Sequence, residues 1–222
     1  MLTRTKLWLF SGVVFVAFCS WYTDLRGPLS DEEVAAFVSR MSDNGGDPDV
    51  IAFIEQFAAA DSGSQFFMLN NVDYNETPPD VAGAEPGESA RALMGRYMAH
   101  MVPALLTRAC HPVLMGDVVY SSMDVIGIDN ATQWDMGALV RYRSRRTFLE
   151  IVSNPAFAGQ HHFKLAALQK TIAYPIEARF NPGDPRLLLG LILLCATALL
   201  DGRLKSRAPA APHPQPTHGR HS

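Results

Sequence analysis

Residues 65–74 read QFFMLNNVDY, and residues 134–176 read WDMGALVRYRSRRTFLEIVSNPAFAGQHHFKLAALQKTIAYPI. The first stretch is rich in aromatic and apolar side chains and too short for an ordinary helix before Asn75, so it predicts a strand over Gln65–Tyr74. The second opens on another strand, Trp134–Tyr142. Ser144 then caps a helix over Arg145–Ser153, Asn154-Pro155 interrupts it, a further helix runs to Lys170, and Thr171–Ile176 closes as a strand.

Between the two lies a Pro/Gly loop, Thr77–Glu88, and then a helix over Glu88–Thr107. Its stripe of Ala90, Leu93, Met94, Tyr97, Met101 and Leu105 has helical spacing, and Pro103 is expected to kink its last turns. His111-Pro112 leads into a strand over Val113–Tyr120, and Ser121–Thr132 connects onward. The order β-α-β-β-α-β over residues 64–177 predicts an α+β fold, the ferredoxin-like sandwich. Two helices cover one side of a four-stranded antiparallel sheet; the other side stays apolar and needs a cover.

Working outward, residues 27–63 form a helical lead-in. Ser30 and Glu33 make a capping box for a helix over Ser30–Met41, with Val34, Phe37, Val38 and Met41 on one face, and a second helix spans Asp49–Ala60. Residues 1–26 carry an uncharged run, Leu7–Tyr22, behind Arg4 and Lys6. The surroundings of Cys19 fit poorly to either a signal-peptidase or a lipoprotein site, which favours an uncleaved anchor. A second apolar run, Leu187–Leu200, sits within 186–202. Its 14 residues reach about 21 Å as helix, short of a bilayer core of about 30 Å, so crossing needs a snorkelling Arg186 and local thinning; the alternative is a helix that lies in the interface or packs on the domain. Arg203, Lys205 and Arg207 follow it, and by the positive-inside bias both chain ends are cytoplasmic and the central domain is extracytoplasmic. Residues 203–222, rich in Pro, Ala and His, read as a disordered tail.

The 222-residue chain has a net charge of −3 and only 18% charged residues, which gives no footprint for nucleic acid; the partners expected are the lipid bilayer and a second copy of the chain. Cys19, Cys110 and Cys195 offer no disulfide within the domain and no metal spacing. There is no P-loop, dinucleotide fingerprint, nucleophile elbow or haem-attachment motif.

The run Phe67-Met68-Leu69-Asn70 and the block from Trp134 to Ile176 resemble small dimeric α/β-barrel proteins related to the antibiotic-biosynthesis monooxygenases. The shared features are a Val/Tyr-rich strand, a Ser-Arg helix start, a Pro-x-Phe break, and a following helix that bears His. The resemblance covers about half the chain and implies that two sheets face each other in a homodimer. It also implies that enzymes of the group work without metal or cofactor, so no cofactor is expected, and that the ligand is small and apolar, flat or phenolic. It directs attention to His162 as an acid–base group with Asp135 positioning it, and to Asn70, Tyr97, Trp134 and His161 as ligand contacts. Adjacent residues on a helix point about 100° apart, so only one of His161 and His162 can face a cavity. The cluster Arg141, Arg143, Arg145 and Arg146 reads as an exposed basic patch or as salt bridges across a dimer, with anion binding at the helix start as the alternative. A non-catalytic binding module, a cofactor-independent monooxygenase or isomerase, and a membrane scaffold are the competing functions.

Overall fold

The computed structural model describes residues 3–206, apart from the side chains of residues 157 and 158; the C-terminal tail beyond residue 206, with His213, His218 and His221, lies outside the described residues. The helices are α1 (Arg4–Tyr22), α2 (Asp31–Asp43), α3 (Pro48–Ala59), α4 (Ala90–Leu106), α5 (Arg145–Val152), α6 (Pro155–Ala158), α7 (His161–Ala167) and α8 (Pro185–Ser206). The strands are β1 (Phe66–Tyr74), β2 (His111–Asp117), β3 (Met136–Tyr142) and β4 (Leu168–Ile176). Residues Ser20–Asn181 form one unit and the two terminal segments form another.

The sheet has the order β2-β3-β1-β4, and each neighbouring pair is antiparallel. Phe66 pairs with Tyr142 and stacks on it at 5.2 Å, while Phe57 of α3 and Phe148 of α5 meet its ring edge-on at 5.4 and 5.9 Å. Phe66 therefore marks the helix-covered side. Alternation places Met68, Asn70 and Val72 on that side, and Phe67, Leu69 and Asn71 on the other.

Several element boundaries depart from the sequence reading, among them the start of β3 at Met136, which leaves Trp134 and Asp135 before the strand. β2 begins at His111 and ends at Asp117, because the register shift between Pro112 and Leu114 lets the chain pair with Arg141 two residues early. β4 begins at Leu168 rather than Thr171, since Leu168 pairs with Tyr74 and the helical run Leu165–Ala167 stops there. The last helical segment is split into α6 and α7.

The lead-in is part of the domain. Val34 and Ala58 bury against Leu149 with Phe37, Ile54 and Phe148 around them. The Ser30–Glu33 capping box forms, with Ser30 N donating to Glu33 Oε2 at 2.9 Å. Gly63, at φ +75°, passes so near Gly27 and Pro28 that a Cβ would sit 2.8 Å from their backbone, which leaves room for no larger residue.

The arginine cluster is not an exposed patch. Arg141 and Arg146 are 1% and 3% exposed. Arg141 donates to the carbonyls of Ala109 (2.6 Å) and Tyr22 (2.9 Å) and to Gln65 Oε1 (2.7 Å), with its guanidinium 3.5 Å above the Tyr22 ring. Arg143 donates to Trp21 O at 3.2 Å. Arg146 reaches Gly27 O, Pro28 O and both carboxylate oxygens of Glu33. Asp24 accepts from the Ser144 hydroxyl at 2.7 Å and from Arg26; burial pushes this carboxyl up, but the hydrogen bonds outweigh burial and hold it well below its usual range. The cluster is thus a clasp on the segment 21–33.

Tyr22 lies on the sheet side that the helices leave bare, with its hydroxyl 2.7 Å from His111 Nε2. Beyond it the middle of that side is apolar, while Asn71 and the Asp73–Lys170 ion pair lie toward its far end. Leu114, Tyr174 and Ile176 are 68%, 45% and 36% exposed, and Leu69, Leu139 and Ile172 are half-buried among them.

The terminal unit contains two helices long and apolar enough to cross a membrane by length and composition. α8 has 22 residues, eight more than the apolar run alone, and reaches about 33 Å. It runs antiparallel to α1: Arg4 pairs with Asp201, Ser11 Oγ lies 2.6 Å from Thr197 Oγ1, and Gly190 lets Phe15 approach.

Candidate functional site

α4 starts against the end of β1, where Arg91 lies 4.8 Å over the Tyr74 ring, and ends beside Cys110 and Tyr142. Tyr97, midway, touches both buried clusters of the layer: Ala90, Leu93, Met94, Phe163, Ala166 and Ala167 on one side, and Met101, Leu105, Cys110 and Ile151 on the other. Burial pushes the Tyr97 hydroxyl up.

The His pair divides at this point. The His161 ring meets Tyr97 edge-on at 6.1 Å. Lys164, one turn further along α7, sets its Nζ 5.8 Å from the centre of the same tyrosine ring. Burial, and secondarily the Lys164 charge, lower the His161 pKa; burial lowers that of Lys164. Tyr142, on the helix-covered side of β3, packs into the cluster that Tyr97 joins, and burial with a smaller effect of Tyr97 pushes its hydroxyl strongly up. His162 turns the other way. Its Nε2 lies 3.0 Å from Ala82 O, and its ring is 4.1 Å from Phe163. It lines an open depression of about 580 Å³ with Gly83, Arg96, His100 and Gln160. Three of the polar groups there already have partners: His162 meets Ala82 O, His100 meets Ala156 O, and Arg96 bonds Glu88 and Gly83 O.

The other sequence candidates are apart from this pair. Asp135 Oδ2 accepts the Tyr74 backbone N–H at 2.7 Å, so it fastens the end of β1, and none of its hydrogen bonds reaches a histidine. Trp134 donates to Ala131 O at 2.9 Å and carries Lys170 over its ring at 4.8 Å. Asn70 sits on the helix-covered side, its amide donating to Met68 O at 3.0 Å. It is half-buried, as are Met68, Ala138 and Val140 around it, so the helices do not seal the middle of the sheet.

Lys164 and Tyr142 were not candidates from sequence. A lysine two residues past a histidine pair has no motif; only the phase of α7 relative to α4 brings it to Tyr97. Among the described residues no group of three or more His, Cys, Asp or Glu could hold a metal ion.

No protein-family profile matches the chain. No curated protein matches it either. The fold is similar to the crystal structure of methylated RPA0582 protein, at 21% identity and a TM-score of 0.50, covering 62% of this chain and 95% of that one. A second similar crystal structure is RPA0582, a protein of unknown function from Rhodopseudomonas palustris, at 20% identity and a TM-score of 0.49, covering 61% of this chain and 95% of that one. At such identities the likeness is one of fold alone.

Proposed function

We propose that Ser20–Asn181 is a ferredoxin-like module, held at a membrane by α1 and α8, that pairs with a second copy as a dimeric α/β barrel and binds a small, largely apolar ligand between its helices and sheet. The strand order and the placing of α4 and α5–α7 between strands support the ferredoxin-like assignment. The observation that carries the ligand reading is the half-open layer around Tyr97, Tyr142 and Asn70, where apolar walls meet hydroxyls that have no hydrogen-bond partner among the described residues. The bare apolar sheet side supports self-pairing, since a second copy would bury Leu114, Leu139, Ile172 and Tyr174. The antiparallel α1–α8 pair supports both chain ends on one side, and the positive charges of Arg4, Lys6, Arg203 and Lys205 favour the cytoplasmic one.

A cofactor-independent enzyme is the second reading, favoured by His161: burial promotes the neutral form of an imidazole that stands edge-on to Tyr97.

Native mass spectrometry of the full chain released from lipid nanodiscs tests the main reading. A dimer carrying a small-molecule mass is expected, and Ile172→Lys, which places a charge in the apolar sheet side, should release monomers. A wild-type chain that stays monomeric at every concentration would rule out the barrel.

A further inference from the structure

We propose that Tyr97, His161, Lys164 and Tyr142 form a head-group site for a small amphipathic acid, a carboxylate or comparable monoanion on an apolar body. The inference rests on the ligand-binding reading and adds the chemistry of the end that the protein grips.

α7 turns His161 and Lys164, three residues apart, onto one face, and Tyr97 of α4 meets both at 6.1 and 5.8 Å. The Lys164 ammonium is half-buried, and among the described residues neither a carboxylate nor a carbonyl bonds it. Other cations drawn into this domain are held by oxygen: Arg141 by three acceptors, Arg146 by Glu33 and two carbonyls, and Arg145 by Phe57 O and Glu177, although its Nε is buried without a hydrogen bond. A cation partly withdrawn from water with only a ring face beside it lacks the acceptor that such charges normally have. The Tyr97 and Tyr142 hydroxyls are O–H donors equally without an acceptor, and a neutral imidazole adds an N–H. The set is rich in donors and contains no carboxylate, which selects an anion over an amide or a cation. Burial favours the uncharged forms of Lys164 and His161, and a bound anion would offset that. Along the sheet from Tyr142, Val140, Met68 and Ala138 share its side and are half-buried, a floor for the apolar body.

The test is calorimetric titration of the full chain in lipid nanodiscs with 1-naphthoate and its neutral counterpart 1-naphthamide, with empty nanodiscs subtracted. The acid is expected to bind roughly 10- to 100-fold more tightly, the range of a charge-assisted hydrogen bond. Lys164→Met should abolish the preference while naphthamide binding persists, and Lys164→Arg should keep it. Equal binding of the two probes to the wild-type chain overturns the head-group assignment and leaves the ligand-binding reading standing. A preference that survives in a folded Lys164→Met or Lys164→Gln chain does the same. Failure of both probes to bind a chain that melts cooperatively overturns both readings.

Discussion

Arg141 occupies a strand position between Val140 and Tyr142, yet its charge is almost wholly out of water. Three acceptors from three distant segments make that tenable: Gln65, Ala109 and Tyr22. Replacing it by methionine keeps the stem but leaves those oxygens without their donor, so Arg141→Met should lower domain stability by about 3 kcal/mol. Urea melts of the full chain in detergent micelles measure it, and a loss under about 1 kcal/mol would mean that water substitutes for the guanidinium. The sequence could not show this clasp, because two of the three acceptors are backbone carbonyls, up to 119 residues away, and carry no side-chain signature. The same limit applies at the candidate site. Tyr97 was legible from the helical stripe of α4, but the choice between His161 and His162 depends on the phase of α7, which the break after α6 resets. Lys164 became a candidate only once that phase was known.

Elements whose information is local were read closely. The capping box at Ser30 and Glu33 and the start of α5 at Ser144 stand where the residues put them, because each depends on contacts within four residues. β2 and β4 shifted because pairing with β3 and β1 decides where a strand begins. α2 also carries a pH-sensitive joint. Hydrogen bonding by Arg146, helped by the Ser30 N–H, holds the Glu33 carboxyl down at about 2, below an ordinary glutamate. A depressed folded-state pKa contributes stability above the unfolded value of about 4.3, and that contribution is lost as pH falls toward about 2. The Glu33 side chain is 40% exposed, so solvent screening limits the effect to about 1 kcal/mol or less. Thermal melts between these two pH values should show a shallower decline in Glu33→Gln than in the wild type; parallel curves would remove Glu33 from the joint.

At the scale of the whole molecule, the two apolar runs were plain from composition, and a four-stranded antiparallel sheet was legible from the succession of strands and helices. The antiparallel fit of α1 to α8 was not, since it turns on Gly190 lying against Phe15 and on a Ser11–Thr197 contact across 186 residues. With Cys19 and Cys195 replaced by serine, Ser11→Cys and Thr197→Cys should form a crosslink on mild oxidation. Adding Gly190→Leu, whose side chain would collide with Phe15, should slow that crosslink several-fold, as read by gel mobility after proteolysis between the helices; an unchanged rate would mean that the helices do not meet at this point.

Tyr22 is the last residue of α1 and also lies 2% exposed beneath the Arg141 guanidinium. The end of this helix, from Ser20 on, thus belongs to the unit Ser20–Asn181. A fragment meant to keep that unit in working form must begin at or before Trp21. Starting even a few residues later would discard the ring that Arg141 rests on, and the shortened unit would fold with its guanidinium uncovered.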